Sequence, residues 1–176
     1  MIIRRGDLKD LNACLLVENS YVSDCVWQVR AEERPYEETI ISFRTVRLPR
    51  SVRASSARDK EYLVHDWERG ECFLVAEEDD EVRGYLDLTV QAWHRTGWIN
   101  DMAVSKDHRR QGIGTALLQA AFHWAKEEKL RAVMAEAQTK NHPAISFFRK
   151  HGFVFCGFND HYYLNHDIAV FFFRAV

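Results

Sequence analysis

The sequence predicts an α/β protein built on one mixed, mostly antiparallel central sheet with helices on both faces. Two observations support this prediction. Early apolar segments follow one another through short turns, as hairpin-linked strands do, whereas later strand patterns alternate with helical ones. The chain has 176 residues, of which 47% are hydrophobic and 12% aromatic, so residues 1–176 are expected to form a single domain with its own core.

The N-terminal part carries the weaker patterns. Met1–Arg5 is predicted to be a strand, and Gly6-Asp7 then caps a helix over 8–20, where leucines recur at helical spacing. A fainter helical pattern covers 35–43. Segment 44–58 contains five arginines, one proline and several serines, which predicts an exposed, solvated loop; a lid or an extra phosphate contact is the functional alternative.

Turn residues divide the next part into a helix and a hairpin. Asp59 is expected to cap a helix that Gly70 ends. Cys72–Ala76 and Val82–Val90 have strand patterns, and the acidic segment Glu77–Glu81 joins them as a turn. These residues therefore predict an antiparallel hairpin.

The C-terminal part alternates strands with helices. Strands are predicted over 98–104, 132–138, 154–158 and 168–173, and helices over 113–128 and 141–150. In the first of these strands, strict alternation predicts one face formed by Trp98, Asn100, Met102 and Val104, and another formed by Ile99, Asp101 and Ala103. The three rings of Phe171–Phe173 are expected in the core, with a homodimer surface as the alternative.

Charge and residue usage exclude several classes of function. The net charge of −2 argues against a nucleic-acid-binding domain. The four cysteines form no Cys-x-x-Cys pair and the histidines lack the spacing of metal ligands, so neither a disulfide framework nor a metal site is expected. No apolar run reaches membrane-spanning length, and the first residues lack the apolar core of a signal peptide. We therefore expect a cytoplasmic protein without membrane contact.

The most informative stretch is the turn Arg109–Thr115, which joins the strand 98–104 to the next helix. Its two glycines let the backbone curl so that several N–H groups face one hollow, and the helix start adds unpaired N–H groups and a positive dipole end. Four cationic residues crowd the same turn: Lys106, His108, Arg109 and Arg110. The expected guest is a polyanion such as a pyrophosphate.

Two common nucleotide motifs are excluded for this turn. Gly114 is followed by Thr115-Ala116 instead of the lysine and hydroxyl residue of a nucleotide P-loop. Leu117 stands where a dinucleotide fingerprint requires its third glycine. The remaining features of this segment are a strand, a hollow of backbone N–H groups that begins at Arg109, and a long helix.

The turn resembles the Arg/Gln-x-x-Gly-x-Gly/Ala motif of the GCN5-related N-acetyltransferases, the GNAT superfamily. Met102–Val104, Asn141 and Ala144–Phe153 match further family motifs in order and distance, and together they cover most of 72–160. The resemblance implies acetyl-coenzyme A as co-substrate and a sheet splayed at its site. The implied coenzyme contacts are Met102, Ala103, Val104, Arg109, Arg110, Gln111, Gly112, Ile113, Gly114, Thr115, Asn141, Ala144 and Phe148.

A narrower resemblance concerns the streptothricin acetyltransferase branch, which acetylates a lysine-like amine of an antibiotic. It rests on Trp93-His94-Arg95, Ile99–Val104, Glu136-Ala137-Gln138 and Ile168–Phe172. It implies a small-molecule amine as substrate and direct attack in a ternary complex. Acetylation of a protein N-terminus or lysine is one alternative, and a non-catalytic acyl-coenzyme A sensor is another.

Direct attack requires two proton movements. A lysine-like amine has a pKa of about 10.4 and arrives protonated, so a base must deprotonate it. The candidates are Asp101 and Glu136, on the two strands that the resemblance places across the splay; the alternative is that each only holds a cation. The family's usual tyrosine acid is replaced here by Phe148, so Tyr162, Tyr163 or water is expected to protonate the leaving thiolate.

Overall fold

The computed structural model describes residues 1–56 and 58–176, which form a seven-stranded sheet, a separate two-stranded ribbon and four α-helices. The strands are β1 (Ile2–Arg5), β2 (Tyr21–Arg34), β3 (Glu38–Ala54), β4 (Cys72–Glu78), β5 (Glu81–Gln91), β6 (Thr96–Val104), β7 (Ala132–Gln138), β8 (Val154–Asn159) and β9 (Ala169–Ala175). The helices are α1 (Leu11–Leu16), α2 (Tyr62–Glu68), α3 (Ile113–Glu127) and α4 (His142–Lys150). Among the described helices, none has the length and apolar composition that crossing a bilayer requires.

The central sheet has the strand order β1-β4-β5-β6-β7-β9-β8. Its neighbours pair antiparallel except β6 and β7, which are parallel and joined through α3. The β6–β7 ladder covers only Thr96–Ile99 opposite Ala132–Ala135. Beyond these residues the two strands continue without pairing, so the sheet opens into a splay. The predicted mixed, mostly antiparallel sheet is confirmed.

Helices cover both faces of this sheet, as predicted. On one face, α3 and α4 pack over β4–β9 and bury residues such as Leu86, Leu118 and Phe172. On the other face, α1 and α2 close a smaller cluster around Leu63 and Tyr85. Removing this apolar surface from water is the main force that holds the layers together.

A β-bulge in β6 breaks the alternation that the sequence predicted for this strand. Asp87 of β5 pairs with Asp101, but Leu88 pairs with Ile99, so Asn100 is the extra residue. As a result, Ile99 and Met102 both pack in the core under α3, and Asn100 and Asp101 both belong to the opposite face. The predicted two faces of this strand were therefore wrong.

The N-terminal part also differs from the predictions. The helix predicted over 8–20 is a single 3-10 turn followed by α1, which ends at Leu16. The helical pattern over 35–43 and the loop over 44–58 are wrong: most of these residues form the tip of the ribbon and β3, while Ala57 lies outside the described residues. Both faces of this ribbon are largely exposed, so its strands lack the apolar alternation that identifies half-buried strands.

The base of the ribbon is anchored on the central sheet by Trp27. Its backbone N–H donates to the carbonyl of Thr139 at 2.9 Å, just beyond β7. Its ring packs at 5.8–5.9 Å from Phe43, Phe155 and Phe172. This aromatic cluster therefore joins the ribbon to β8 and β9.

Replacement of Phe172 by alanine tests the importance of this cluster for stability. The ring is fully buried, so we expect Phe172→Ala to lower the free energy of unfolding by about 3–5 kcal/mol. Phe155→Ala is the matched control, because the same atoms are deleted from a ring that is 41% exposed. Denaturant unfolding should show a clearly smaller loss for the control, and equal losses would contradict a core centred on Phe172.

Candidate active site at the splayed strands

The glycine-rich turn forms the backbone hollow that the sequence predicts. Arg110 and Gly112 have left-handed backbone conformations, with φ of 66° and 92°, and α3 begins at the next residue, Ile113. Arg110, Gln111 and Gly112 are exposed, so the mouth of the turn is open to solvent. Curled N–H groups at the start of a long helix are a site for an anion.

The two glycines of the turn serve different purposes. Gly112 supplies the left-handed conformation, and a Cβ there would meet no described atom within 4 Å. Gly114 permits close packing: a Cβ there would lie 3.2 Å from Cε of Met102 and 3.5 Å from the ring of Phe147. The start of α3 is therefore held against β6 and α4 at the splay.

The side chain of Arg109 binds backbone carbonyls of the protein itself. Nε donates to the carbonyl of Val104 at 2.9 Å, Nη1 to that of Ser20 at 2.7 Å, and Nη2 to that of Glu18. The guanidinium thus fastens the α1–β2 linker to the end of β6. Because its three nitrogens are engaged, the backbone N–H groups of the turn, and not this side chain, are the groups left for an anion.

The predicted coenzyme contacts near α4 also hold the helices in place. Oδ1 of Asn141 accepts from the N–H of Ala144 at 3.1 Å and caps α4. The hydroxyl of Thr115 lies 3.0 Å from Nε2 of His151, which connects α3 to the end of α4. Phe148 is only 6% exposed and packs among aromatic rings, so the position of the family's tyrosine acid is part of the core.

Asp101 lies beside the bulge, with both carboxylate oxygens engaged. Oδ2 accepts from the hydroxyl of Tyr85 at 2.7 Å, and Oδ1 accepts from the N–H of Met102 at 2.9 Å. Burial raises the pKa of Asp101, while these two hydrogen bonds oppose the rise. Met102 is a predicted coenzyme contact, and its N–H is already satisfied by a side chain.

Glu136 lies on β7, next to the point where the ladder with β6 ends. The indole Nε1 of Trp98 donates to Oε2 at 3.3 Å, and the side chains of Tyr162 and Tyr163 lie close enough to lower the pKa of this carboxylate. Burial raises the pKa of Glu136. Burial and the adjacent negative charge also raise the pKa of both tyrosines, so both hydroxyls keep their protons and act as donors. The structure therefore brings three predicted candidates together.

A second group of charges on the same face was missed from the sequence. Asp87 and Asp66 are 1% and 6% exposed, and Arg58 forms an ion pair with Asp66 and lies 3.7 Å from Asp87. Burial raises the pKa of Asp87, and a 3.0 Å hydrogen bond from Asn100 opposes this. Arg58, predicted as part of a solvated loop, is thus the cation among buried carboxylates. The aspartate at 87 inside an apolar strand was the available signal.

A cavity of about 420 Å³ opens on this face, next to Glu136. Trp98, whose indole binds the Glu136 carboxylate, and Tyr162 form part of its wall. The other lining residues are Gln91, His94, Thr96, Asn100, Arg131 and Met134. The positive charge of Arg58 lowers the pKa of both Asp101 and Glu136, which indicates that all three groups share one electrostatic environment. The wall of the cavity contains Arg131 and His94, and the carboxylates of this face lie beside it and not in the wall.

Comparison with known proteins agrees with this geometry. The sequence model of the acetyltransferase (GNAT) family matches residues 33–153. Streptothricin acetyltransferase A of Bacillus subtilis (strain 168) is 40% identical over 83 residues, which are 45% of this chain and 48% of the relative. An N-alpha-acetyltransferase of Sulfurisphaera tokodaii is 34% identical over 120 residues, covering 61% of this chain and 71% of the relative. The chain spans about half the length of the streptothricin acetyltransferases that it matches.

The solved structures support the same fold. A nourseothricin acetyltransferase superposes with a TM-score of 0.84 over 99% of this chain and 97% of its own, at 22% identity. Together the matches confirm the predicted fold class and the predicted enzyme family, whose co-substrate is acetyl-coenzyme A. The individual site residues stay predictions.

Replacement of Arg109 by glutamine tests whether this side chain holds the α1–β2 linker against the end of β6. We expect Arg109→Gln to lower the free energy of unfolding by about 1–2 kcal/mol, because several charge-assisted hydrogen bonds to backbone are lost. Amide exchange in the linker 17–20 should become faster. Arg110→Gln is the control, since this neighbouring side chain is exposed. An Arg109→Gln protein that unfolds and exchanges like the wild type would contradict the assignment.

Proposed function

Because the chain belongs to the acetyltransferase (GNAT) family, we propose that it moves acetyl from acetyl-coenzyme A to a primary amine of a small molecule, with streptothricin-like antibiotics as the substrate class. The observation that supports this choice is the group of buried carboxylates beside the splay. Carboxylates at 66, 87, 101 and 136 surround Arg58 on this face, so the site attracts a cationic acceptor.

The turn and the splay are proposed to bind the donor. The backbone N–H groups of Arg110–Gly114 and the start of α3 would hold the pyrophosphate, and the gap beside Met102–Val104 would take the arm that carries the thioester. Bound there, acetyl-coenzyme A supplies an activated acetyl group. An N–H group of β6 that faces the gap would stabilise the oxyanion; the N–H of Met102 is not the proposed donor, because it binds Asp101.

The acceptor amine loses a proton before it attacks. Asp101 and Glu136 both have raised pKa values, which brings them closer to neutral pH and makes them better bases than ordinary carboxylates. After deprotonation, the amine nitrogen forms a bond to the thioester carbon. The carbon–sulfur bond then breaks, and the coenzyme leaves as a thiolate that takes up a proton.

Tyr162 and Tyr163 are proposed to assist at the cavity mainly as hydrogen-bond donors. Their raised pKa values make full proton transfer to a thiolate unfavourable, because a thiol has a pKa of about 8.5. Phe148 has no hydroxyl and is buried, so it supplies no proton. Water is therefore the proposed proton source, with the tyrosines orienting Glu136.

A second candidate function is acetylation of a protein N-terminus. The similarity to an archaeal N-alpha-acetyltransferase, of which the chain covers 71%, favours it. A panel of streptothricin, polyamines, lysine peptides and peptides with free N-termini, read by release of coenzyme A thiol, separates the two. Turnover of peptides alone would replace the first proposal, and coenzyme binding without thiol release on any amine would indicate an acyl-coenzyme A sensor.

Acidic substitution in the turn should abolish binding of the donor. In Gly112→Asp the carboxylate would lie in the open hollow and repel the pyrophosphate, and in Gly114→Asp the side chain would clash with Met102 and Phe147 and displace the start of α3. Affinity for acetyl-coenzyme A should therefore fall by about 100-fold, or ~2.8 kcal/mol. Isothermal titration calorimetry measures this directly. The control is Gly70→Asp, which introduces the same residue at a left-handed glycine with a φ of 70° at the end of α2. Unchanged affinity in both turn variants would refute the assignment of the turn as the pyrophosphate site.

The pH dependence of turnover identifies the base. Because the pKa of the base is raised, activity should be present above that raised value and be lost as the pH falls through it. Asp101→Asn or Glu136→Gln, whichever removes the base, should lower kcat and abolish the acid limb of the pH profile, which is the loss of activity at low pH. The other variant should keep the acid limb.

Tyr85→Phe provides a control for the assignment. This variant removes a hydrogen bond that lowers the pKa of Asp101, so the acid limb should move to higher pH if Asp101 is the base. The limb should stay in place if Glu136 is the base. If both carboxylate variants retain the parent profile, neither residue is the base.

A further inference from the structure

The outer part of the ribbon extends beyond its anchor on the central sheet. We call residues 29–44 of β2 and β3 the arm. All residues from 31 to 40 are exposed, on both faces and around the turn at Tyr36. A two-stranded hairpin by itself is at best marginally stable in water, so an arm of this length gains most from an additional strand.

The two edges of the arm are not equivalent. At its base, the N–H of Trp27 points outward from β2 and binds Thr139, so the free edge of β2 faces the body of the protein. The edge of β3 faces away from it. An exposed strand edge has unpaired N–H and C=O groups that can pair with another chain. The edge of β3 is therefore the accessible one.

The sequence of this edge is complementary to itself. Glu38–Arg44 has an acidic residue at one end, a basic residue at the other, and Ile40-Ile41 in the centre. In an antiparallel pair related by a two-fold axis at Ile41, Glu38 of each copy lies opposite Arg44 of the other. Opposite charges facing each other across strands are stabilising.

The arginine of this pair is available for a partner. Among the described residues Arg44 has no carboxylate within salt-bridge distance, and its hydrogen bond to Gln28 is long, at 3.4 Å. Glu38 has only an exposed contact with Arg34 at 3.8 Å. Both side chains of the pair are thus exposed and accessible to a second copy.

We propose that two copies of this chain associate through the edges of β3, over Glu38–Arg44, to form a continuous four-stranded sheet. The occupant of this surface is a second copy because the charge pattern complements itself about one residue. The cores of the two copies stay apart, and the proposal does not depend on the acetyl-transfer function.

Charge reversal tests the pairing. Sedimentation equilibrium of the wild-type protein should show a dimer, and Arg44→Glu should weaken it at least tenfold by placing like charges opposite each other. The combined Glu38→Arg and Arg44→Glu protein should regain the dimer, since the charges are exchanged in both copies. Arg47→Glu is the control, because it lies on the same strand outside the paired stretch. A wild-type monomer, or a dimer insensitive to Arg44→Glu, would overturn the proposal.

Cross-linking gives an independent measurement. Two antiparallel residues on a two-fold axis have Cα atoms about 4.5–5.5 Å apart, within the range of a disulfide. In a Cys156→Ser background, which removes an exposed thiol, Ile41→Cys should form a covalent dimer under mild oxidation. Ile40→Cys should cross-link far less, because position 40 faces position 42 of the other copy. Equal cross-linking at both positions would overturn the register.

Discussion

The β-bulge at Asn100 is the constraint on which the arrangement of the site depends. One extra residue in β6 puts Ile99 and Met102 on the same face, under α3, although three positions separate them in sequence. The start of α3 packs on Met102 through Gly114. On the opposite face, the bulge brings both Asn100 and Asp101 next to Asp87. In a regular strand, the adjacent residues Asn100 and Asp101 would point to opposite faces of the sheet.

The charges on that opposite face are held at a considerable cost in solvation. Asp87 is almost completely buried, and Arg58, the cation nearest to it among the ion pairs of the described residues, is shared with Asp66. Grouping carboxylates in a partly closed site is unfavourable, since desolvation and mutual repulsion both penalise the ionised forms. Under the proposed function, a cationic amine bound beside these carboxylates would relieve both penalties.

The parts of the molecule that the sequence predicted correctly are those with local determinants. The glycine turn depends on a left-handed residue and on a close approach of backbone, and both leave glycines in the sequence. Glu136, Tyr162 and Tyr163 were named through the family resemblance, and their roles stay predictions although the three side chains lie close together. The bulge could not be predicted, because it is defined by the pairing partner and not by β6 itself. The ribbon was missed because an exposed strand with arginines in it has the composition of a loop.

The position of β9 in the sheet affects how the chain can fold. β9 lies between β7 and β8, although it follows both in the sequence, and it contributes Phe172 to the core. During synthesis, β7 and β8 therefore each lack their shared neighbour until β9 has emerged from the ribosome. Until then β7 has an open edge, and the ring of Phe155 lacks Phe172 as a partner. Intermediates of this kind expose apolar surface and are prone to aggregate. Productive folding thus depends on how quickly β9 inserts once it becomes available.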